Sequence, residues 1–115
     1  MAASPRYNSS AMKFDVILSP EALEDLRSFK ANEKAQVRHG IEQHLRHEPK
    51  KLSKSRVKRL RGTKRPQYRL RVGDDIRVFY DVTDTVVEIL AIVRKSVADQ
   101  WLQQFGEFDE TNFSV

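Results

Sequence analysis

The sequence predicts an α+β domain: an antiparallel sheet made of a first strand and a later three-strand meander, with a helical hairpin packed on one face and a short helix at the C-terminal end. Three observations carry this. Apolar residues alternate from Phe14 to Leu18, and again in three successive runs between Tyr68 and Val93. Between those regions they recur at helical spacing, from Leu23 to Leu45. The chain has 115 residues, enough for one domain with a single modest core.

Phe14, Val16 and Leu18 alternate with Lys13, Asp15 and Ile17, which gives a short strand with one core face. Ser19 and Pro20 then mark a helix start. A serine oxygen accepts from an orphan amide, and proline suits the first helical position, where its missing N–H costs nothing. Glu21, Glu24 and Asp25 favour the positive end of that helix, and Leu23, Leu26 and Phe29 are its expected buried stripe. Ala31-Asn32 breaks it, with Asn32 as candidate cap for a second helix from about Glu33 to His47. Val37, Ile41 and Leu45 repeat every four residues there, and Pro49 stops it.

Residues 50–66 show little apolar periodicity and read as an extended basic segment followed by loop. Tyr68, Leu70 and Val72 then alternate with polar residues, as do Ile76, Val78 and Tyr80 after Gly73-Asp74-Asp75. Val86 to Val93 is apolar on both sides except Glu88, so this strand belongs inside the sheet. Ser96, with Asp99 three residues on, resembles a capping box for the last helix, whose expected apolar face is Val97, Trp101 and Phe105. The expected organisation is a flexible arm at 1–11, a folded domain at 12–105 and an acidic tail at 106–115.

Loop length decides which way the arginines of the meander point. A three-residue loop, Gly73 to Asp75, pairs Val72 with Ile76, Leu70 with Val78 and Tyr68 with Tyr80, so all six share the core face; a one-residue slip mixes them with charge. Arg71 then lies opposite Arg77, and Arg69 opposite Phe79. Like charges facing each other cost a sheet up to about 1 kcal/mol. An anion between two guanidiniums reverses that sign, because arginine binds phosphate through paired, charge-assisted hydrogen bonds. Phe79 on the same face would offer a stacking surface for an RNA base. Arg94 and Lys95, at the end of the last strand, are expected to close this face.

Charge is concentrated. Residues 50–71 hold eleven of the 21 Lys+Arg and none of the 16 Asp+Glu. Unpaired cations of this density are too costly to bury and suit a polyanion such as nucleic acid. Lys51, Lys54, Arg56, Lys58, Arg59 and Arg61 are the expected RNA-binding residues of the segment, together with Phe79 and Arg94. The acidic tail, with Glu107, Asp109 and Glu110, either stays solvated or folds across Arg71, Arg77 and Lys95. There is no cysteine, which excludes disulfides and thiolate chemistry and suits a reducing cytoplasm. His39, His44 and His47 share one helix, but no two are four apart, so no metal site is expected from them. No apolar run approaches the roughly 18 residues that span a bilayer.

SPEALEDL after a short strand, then RLRG, then YRLRVGDDIRVFY, then VEILAIVRKS resemble the RelE/ParE toxin superfamily of bacterial toxin–antitoxin systems. The resemblance covers about Lys13 to Leu102, and the hairpin YRLRVGDDIRVFY is its specific part. It implies a metal-independent, ribosome-dependent endoribonuclease that needs no cofactor, cuts mRNA in the ribosomal A site and is silenced by a cognate antitoxin protein. It implies catalytic roles for Arg69, Arg71, Arg77 and Lys95. They would stabilise the phosphorane formed when a ribose 2′-hydroxyl attacks its own 3′-phosphate. The chain departs from the RelE branch in two ways. Arginines stand where lysines are usual, and arginine does not serve as a base. No tyrosine stands in the last helix, where Trp101 is the nearest aromatic. The alternatives are a ParE-like inhibitor of DNA gyrase without enzymatic activity, and a non-catalytic RNA-binding module.

Overall fold

The computed structural model describes residues 13–109. In chain order the elements are β1 (Asp15–Leu18), α1 (Pro20–Ser28), α2 (Ala31–His44), β2 (Val57–Arg59), β3 (Thr63–Arg65), β4 (Tyr68–Val72), β5 (Ile76–Thr83), β6 (Val86–Arg94), α3 (Lys95–Phe105) and β7 (Glu107–Phe108). Five strands form one sheet in the order β1-β6-β5-β4-β2, and β3 pairs with β7 in a second, two-stranded sheet. The arm expected at 1–11 lies outside the described residues. No described helix is long and apolar enough to cross a membrane.

The α+β class and the meander are as the sequence indicates, with two corrections to the architecture. β1 runs parallel to β6, so the sheet is mixed. The helices also divide between the faces. The α1–α2 hairpin covers one face through Ala22, Leu26, Phe29, Val37, Ile41 and Leu45, which pack on Leu70, Val78, Tyr80, Val87 and Ile89. α3 covers part of the other, where Ala98, Trp101 and Leu102 meet Phe79 and Ala91.

The caps explain the helix boundaries. Ser19 Oγ accepts from the Ala22 N–H at 3.0 Å, and Pro20 opens α1 as expected. α2 begins at Ala31, two residues earlier than expected. Lys30, not Asn32, is its N-cap residue, and the Glu33 carboxylate accepts from the Lys30 N–H at 3.1 Å. α3 starts at Lys95 with no side-chain cap, so Ser96 and Asp99 do not form the expected box. The buried side of α3 is also rotated from expectation. Val97 and Phe105 are 42% and 59% exposed, while Ala98 is buried. Leu23 of α1 is likewise exposed, and Ala22 takes its place in the core.

The β4–β5 hairpin has the register selected by burial: Val72 pairs with Ile76, Arg71 with Arg77, Leu70 with Val78, Arg69 with Phe79 and Tyr68 with Tyr80. Gly73 sits in its turn at φ +58°, a left-handed conformation that glycine adopts without a Cβ penalty. Across the core, a Cβ on Gly40 would lie 3.2 Å from Val72, so glycine lets α2 approach β4 closely. Tyr80 is fully buried, stacks on Tyr68 with ring centroids 5.4 Å apart, and donates its hydroxyl to the Pro49 carbonyl at 2.7 Å. Burial pushes its pKa up, so it stays a phenol.

A bulge in β6 controls what lies on each face. Phe79 pairs with Ala91 but Tyr80 pairs with Ile89, leaving Leu90 as the extra residue. The helix α1 satisfies the disturbed backbone. Ser19 Oγ donates to the Leu90 carbonyl at 3.2 Å, and an Asp25 carboxylate oxygen accepts from the Ile92 N–H at 2.9 Å. Past the bulge the alternation is inverted. Val87, Ile89 and Ile92 face the helical hairpin, whereas Ala91 and Val93 face α3.

Candidate RNA-binding cleft

Arg69 on β4, Arg77 on β5 and Lys95 at the start of α3 line one cleft of about 280 Å³. Leu60, Phe79, Ala98, Asp99 and Leu102 complete it. Strand alternation places both arginines on the face away from the helical hairpin, and α3 begins where β6 ends, beside Arg77. The cleft therefore combines cations with apolar walls.

Neither arginine has an ion pair among the described residues, although Asp75 and Asp74 lie near enough to Arg77 to offset part of its desolvation. Arg77 is 7% exposed and donates only to backbone carbonyls, those of Asp74 at 3.2 Å and Ile76 at 3.0 Å. The Nε of Arg69 is buried without a hydrogen-bond partner. Burial lowers the pKa of Arg69, and Arg77 and Arg71 lower it further. Burial also lowers that of Arg77, with Arg71 adding to it. Arginine nevertheless stays charged at neutral pH. The free protein thus holds two fixed cations where an anion would relieve both desolvation and mutual repulsion.

Arg71 lies opposite Arg77 in register, but its guanidinium turns to the rim. It donates to the Gly73 carbonyl at 3.1 Å and pairs with Asp74 at 2.7 Å. Lys58 of β2 pairs across the strands with Arg69, which puts a further exposed cation on the same face. The strand nature of residues 57–59 escaped sequence reading because only Val57 is buried there.

The rest of the basic segment divides. Lys54 and Arg61 are exposed. Arg56 lines a groove of about 220 Å³ between α2 and β4, with His39, His44 and Arg71. Lys51 lies 3.8 Å from Glu48. Arg59 serves the fold: it sits 5.4 Å above the Tyr68 ring and donates to the Leu60 and Gln67 carbonyls at 2.8 and 2.9 Å.

Three expectations need correction. Phe79 is 1% exposed and stacks on Trp101 with centroids 5.0 Å apart, because α3 lies over this part of the sheet; it is the floor of the cleft, unavailable for stacking on a base. Arg94 does not join the site. The bulge at Leu90 turns it to the hairpin face, where it bonds Glu33 at 2.7 Å and Asp75 at 2.9 Å and stacks 4.7 Å over Phe29. Those bonds raise its pKa, and they hold the Glu33 carboxyl down to about 2. As far as it is described, the tail runs along β3 instead of folding across Arg71, Arg77 and Lys95. Glu107 and Phe108 pair with β3, and the Asp109 N–H donates to the Gly62 carbonyl at 2.9 Å.

One lining residue was missed. Asp99 read as a helix cap, yet it is the single carboxylate among the residues lining the cleft. Its position four residues after Lys95, one helical turn on, is the signal that could have revealed it.

Known proteins share this arrangement of elements. The archaeal RelE–RelB complex from Pyrococcus horikoshii OT3 contains a chain 29% identical to this one, with TM-score 0.61, covering 76% of this chain and 100% of that one. The E. coli DinJ–YafQ toxin–antitoxin complex matches at 15% identity and TM-score 0.59, over 75% and 97% of the two chains. The YoeB dimer from Staphylococcus aureus matches at 20% identity and TM-score 0.50, over 70% and 95%. At these lower identities the likeness shows the fold alone. No curated protein sequence matches. The family described as ParE toxin of type II toxin–antitoxin system, parDE, matches residues 16–98, which hold every cation of the cleft. The chain belongs to this family of toxins, within the RelE/ParE superfamily.

Proposed function

We propose that this toxin is an endoribonuclease that cuts mRNA on the ribosome and is held silent by a cognate antitoxin. The observation that carries the reading is the cleft itself. Arg69, Arg77 and Lys95 converge on it, and none of the three has an ion pair among the described residues. Their chemistry suits a scissile phosphate. As the 2′-oxygen attacks, negative charge grows on the non-bridging oxygens, and fixed guanidiniums stabilise it without reorganising. Removing one such donor typically costs about 10²–10³ in rate, or roughly 2.7–4 kcal/mol. Lys58 and Arg71 flank the cleft and would hold the neighbouring phosphates. Two of the similar structures are toxin–antitoxin complexes, which supports an antitoxin partner here.

The family match favours a second reading, a gyrase inhibitor that performs no chemistry. Fold does not decide between them. Induced expression in bacteria, with mRNA 5′-end mapping and a gyrase supercoiling assay run in parallel, does decide. The proposed function requires new mRNA 5′-ends within open reading frames and unaltered supercoiling. Inhibited supercoiling with intact mRNA selects the second reading.

A further inference from the structure

We infer that Asp99 is the group that takes the 2′-hydroxyl proton, with Lys95 supplying the proton to the leaving oxygen. This rests on the endoribonuclease reading above and adds the proton transfers that its arginines cannot perform.

The placement of both residues is unexplained by the fold. Lys95 occupies the first position of α3, where a cation opposes the positive end of the helix. Asp99 makes no capping bond, and among the described residues no ion pair ties it to a cation. A carboxylate in a cleft otherwise lined by cations and apolar groups opposes anion binding there. It is also the sole side-chain acceptor that the lining residues offer, since Arg69, Arg77 and Lys95 are donors only. A hydroxyl brought into the cleft beside its phosphate therefore has one side-chain acceptor within it.

Spacing supports the pair. Residues four apart on a helix have Cβ atoms about 5–6 Å apart on one face, enough to straddle the attacking and leaving oxygens of one phosphate. In the step, the O–H bond of the ribose 2′-hydroxyl breaks and its proton passes to the Asp99 carboxylate. The 2′-oxygen forms a bond to phosphorus while the P–O5′ bond breaks. The 5′-oxygen leaves with the bonding pair and takes a proton from the Lys95 ammonium. The products are a 2′,3′-cyclic phosphate and a 5′-hydroxyl, and the proton on Asp99 returns to Lys95 through solvent. Arg69 and Arg77 hold the non-bridging oxygens throughout.

The test is single-turnover cleavage of mRNA on programmed ribosomes, measured across pH for the wild-type chain, Asp99→Asn and Asp99→Glu. Asp99→Asn should slow cleavage by about 10²–10⁴-fold. It should bind ribosomes at least as well as wild type and lose the rise in rate with pH on the acid side. Asp99→Glu should recover part of the rate and keep that rise. Asp99 is exposed, so both variants should fold, checked by circular dichroism and antitoxin binding. An Asp99→Asn chain that cleaves within a few-fold of wild type with an unchanged pH profile overturns the inference. So does one whose loss is entirely in ribosome binding. A wild-type chain that leaves mRNA intact, or cuts equally at a 2′-deoxy nucleotide, overturns the endoribonuclease reading instead.

Discussion

Arg94 and Arg77 stand on neighbouring strands, one register step apart, on opposite faces of one sheet. On the hairpin face Arg94 has two carboxylates and an aromatic ring, and its pKa is raised. On the α3 face Arg77 bonds two backbone carbonyls, and burial and then Arg71 lower its pKa more than the unbonded Asp75 and Asp74 raise it. Arg94 is stabilised by the folded state; the folded state holds Arg77 at a cost. The first arrangement secures α2 to the sheet, while the second leaves an unfilled demand for an anion. Composition does not separate these two arginines, but the sign of the pKa shift does.

The largest separation of the faces is expected at Phe79. Phe79→Ala removes a ring that is 1% exposed and stacked on Trp101. It should cost about 3–5 kcal/mol, read by urea denaturation, and also abolish toxicity by collapsing the cleft floor. Next comes Arg77→Met, which keeps the volume and removes the charge. Toxin activity should fall by about 10²–10³ while the melting temperature holds or rises, because a desolvated, repelled cation is gone. Arg94→Met should do the reverse: a lower melting temperature with Glu33 left unpaired, and much smaller loss of activity per folded molecule. If both substitutions lower stability and activity together, the two faces do not divide the work in this way.

The meander and its register were legible because period-two burial and a three-residue loop left one solution for Tyr68 to Tyr80. The same register puts Arg69, Arg71 and Arg77 on one face. Arg94 was not legible. Apart from Glu88, residues 86–93 are apolar on both sides, so nothing in their pattern marks Leu90 as an inserted residue, and one insertion exchanges the faces beyond it. Phe79 was misread for a related reason. Alternation gives the face of a side chain, but whether another element covers that face depends on α3, which docks through Ala98, Trp101 and Leu102 and leaves Val97 and Phe105 exposed.

The hairpin face should also carry a pH dependence through Glu33. Glu33 has a folded pKa of about 2, below its ordinary 4.5, chiefly because Arg94 bonds it and the Lys30 N–H adds to this. A carboxyl depressed in the folded state adds stability that is complete above its unfolded pKa and is lost as pH falls through the folded one. Glu33→Gln should therefore lower the melting temperature at pH 7. The difference from wild type should shrink between pH 4.5 and pH 2 and close below that. A difference constant with pH would show that the ion pair contributes nothing and that only shape was altered.

The smallest effect compares two lysines of the basic segment. Lys58 lies opposite Arg69 on the cleft face, whereas Lys51 lies beside Glu48. Both are exposed, so neither substitution should disturb the fold. A lysine that contacts a single-strand phosphate releases counterions, and its loss lowers the slope of log affinity against log salt by about 0.7. Lys58→Ala should show that change in titrations of RNA at several salt concentrations, with a uniform loss of affinity across sequences. Lys51→Ala should leave the slope unaltered, since its charge is already partly met and it sits away from the β4–β5 arginines. Equal slopes for both variants would mean that RNA runs along the whole segment from 50 to 61, and that the cleft face has no privileged place on its path.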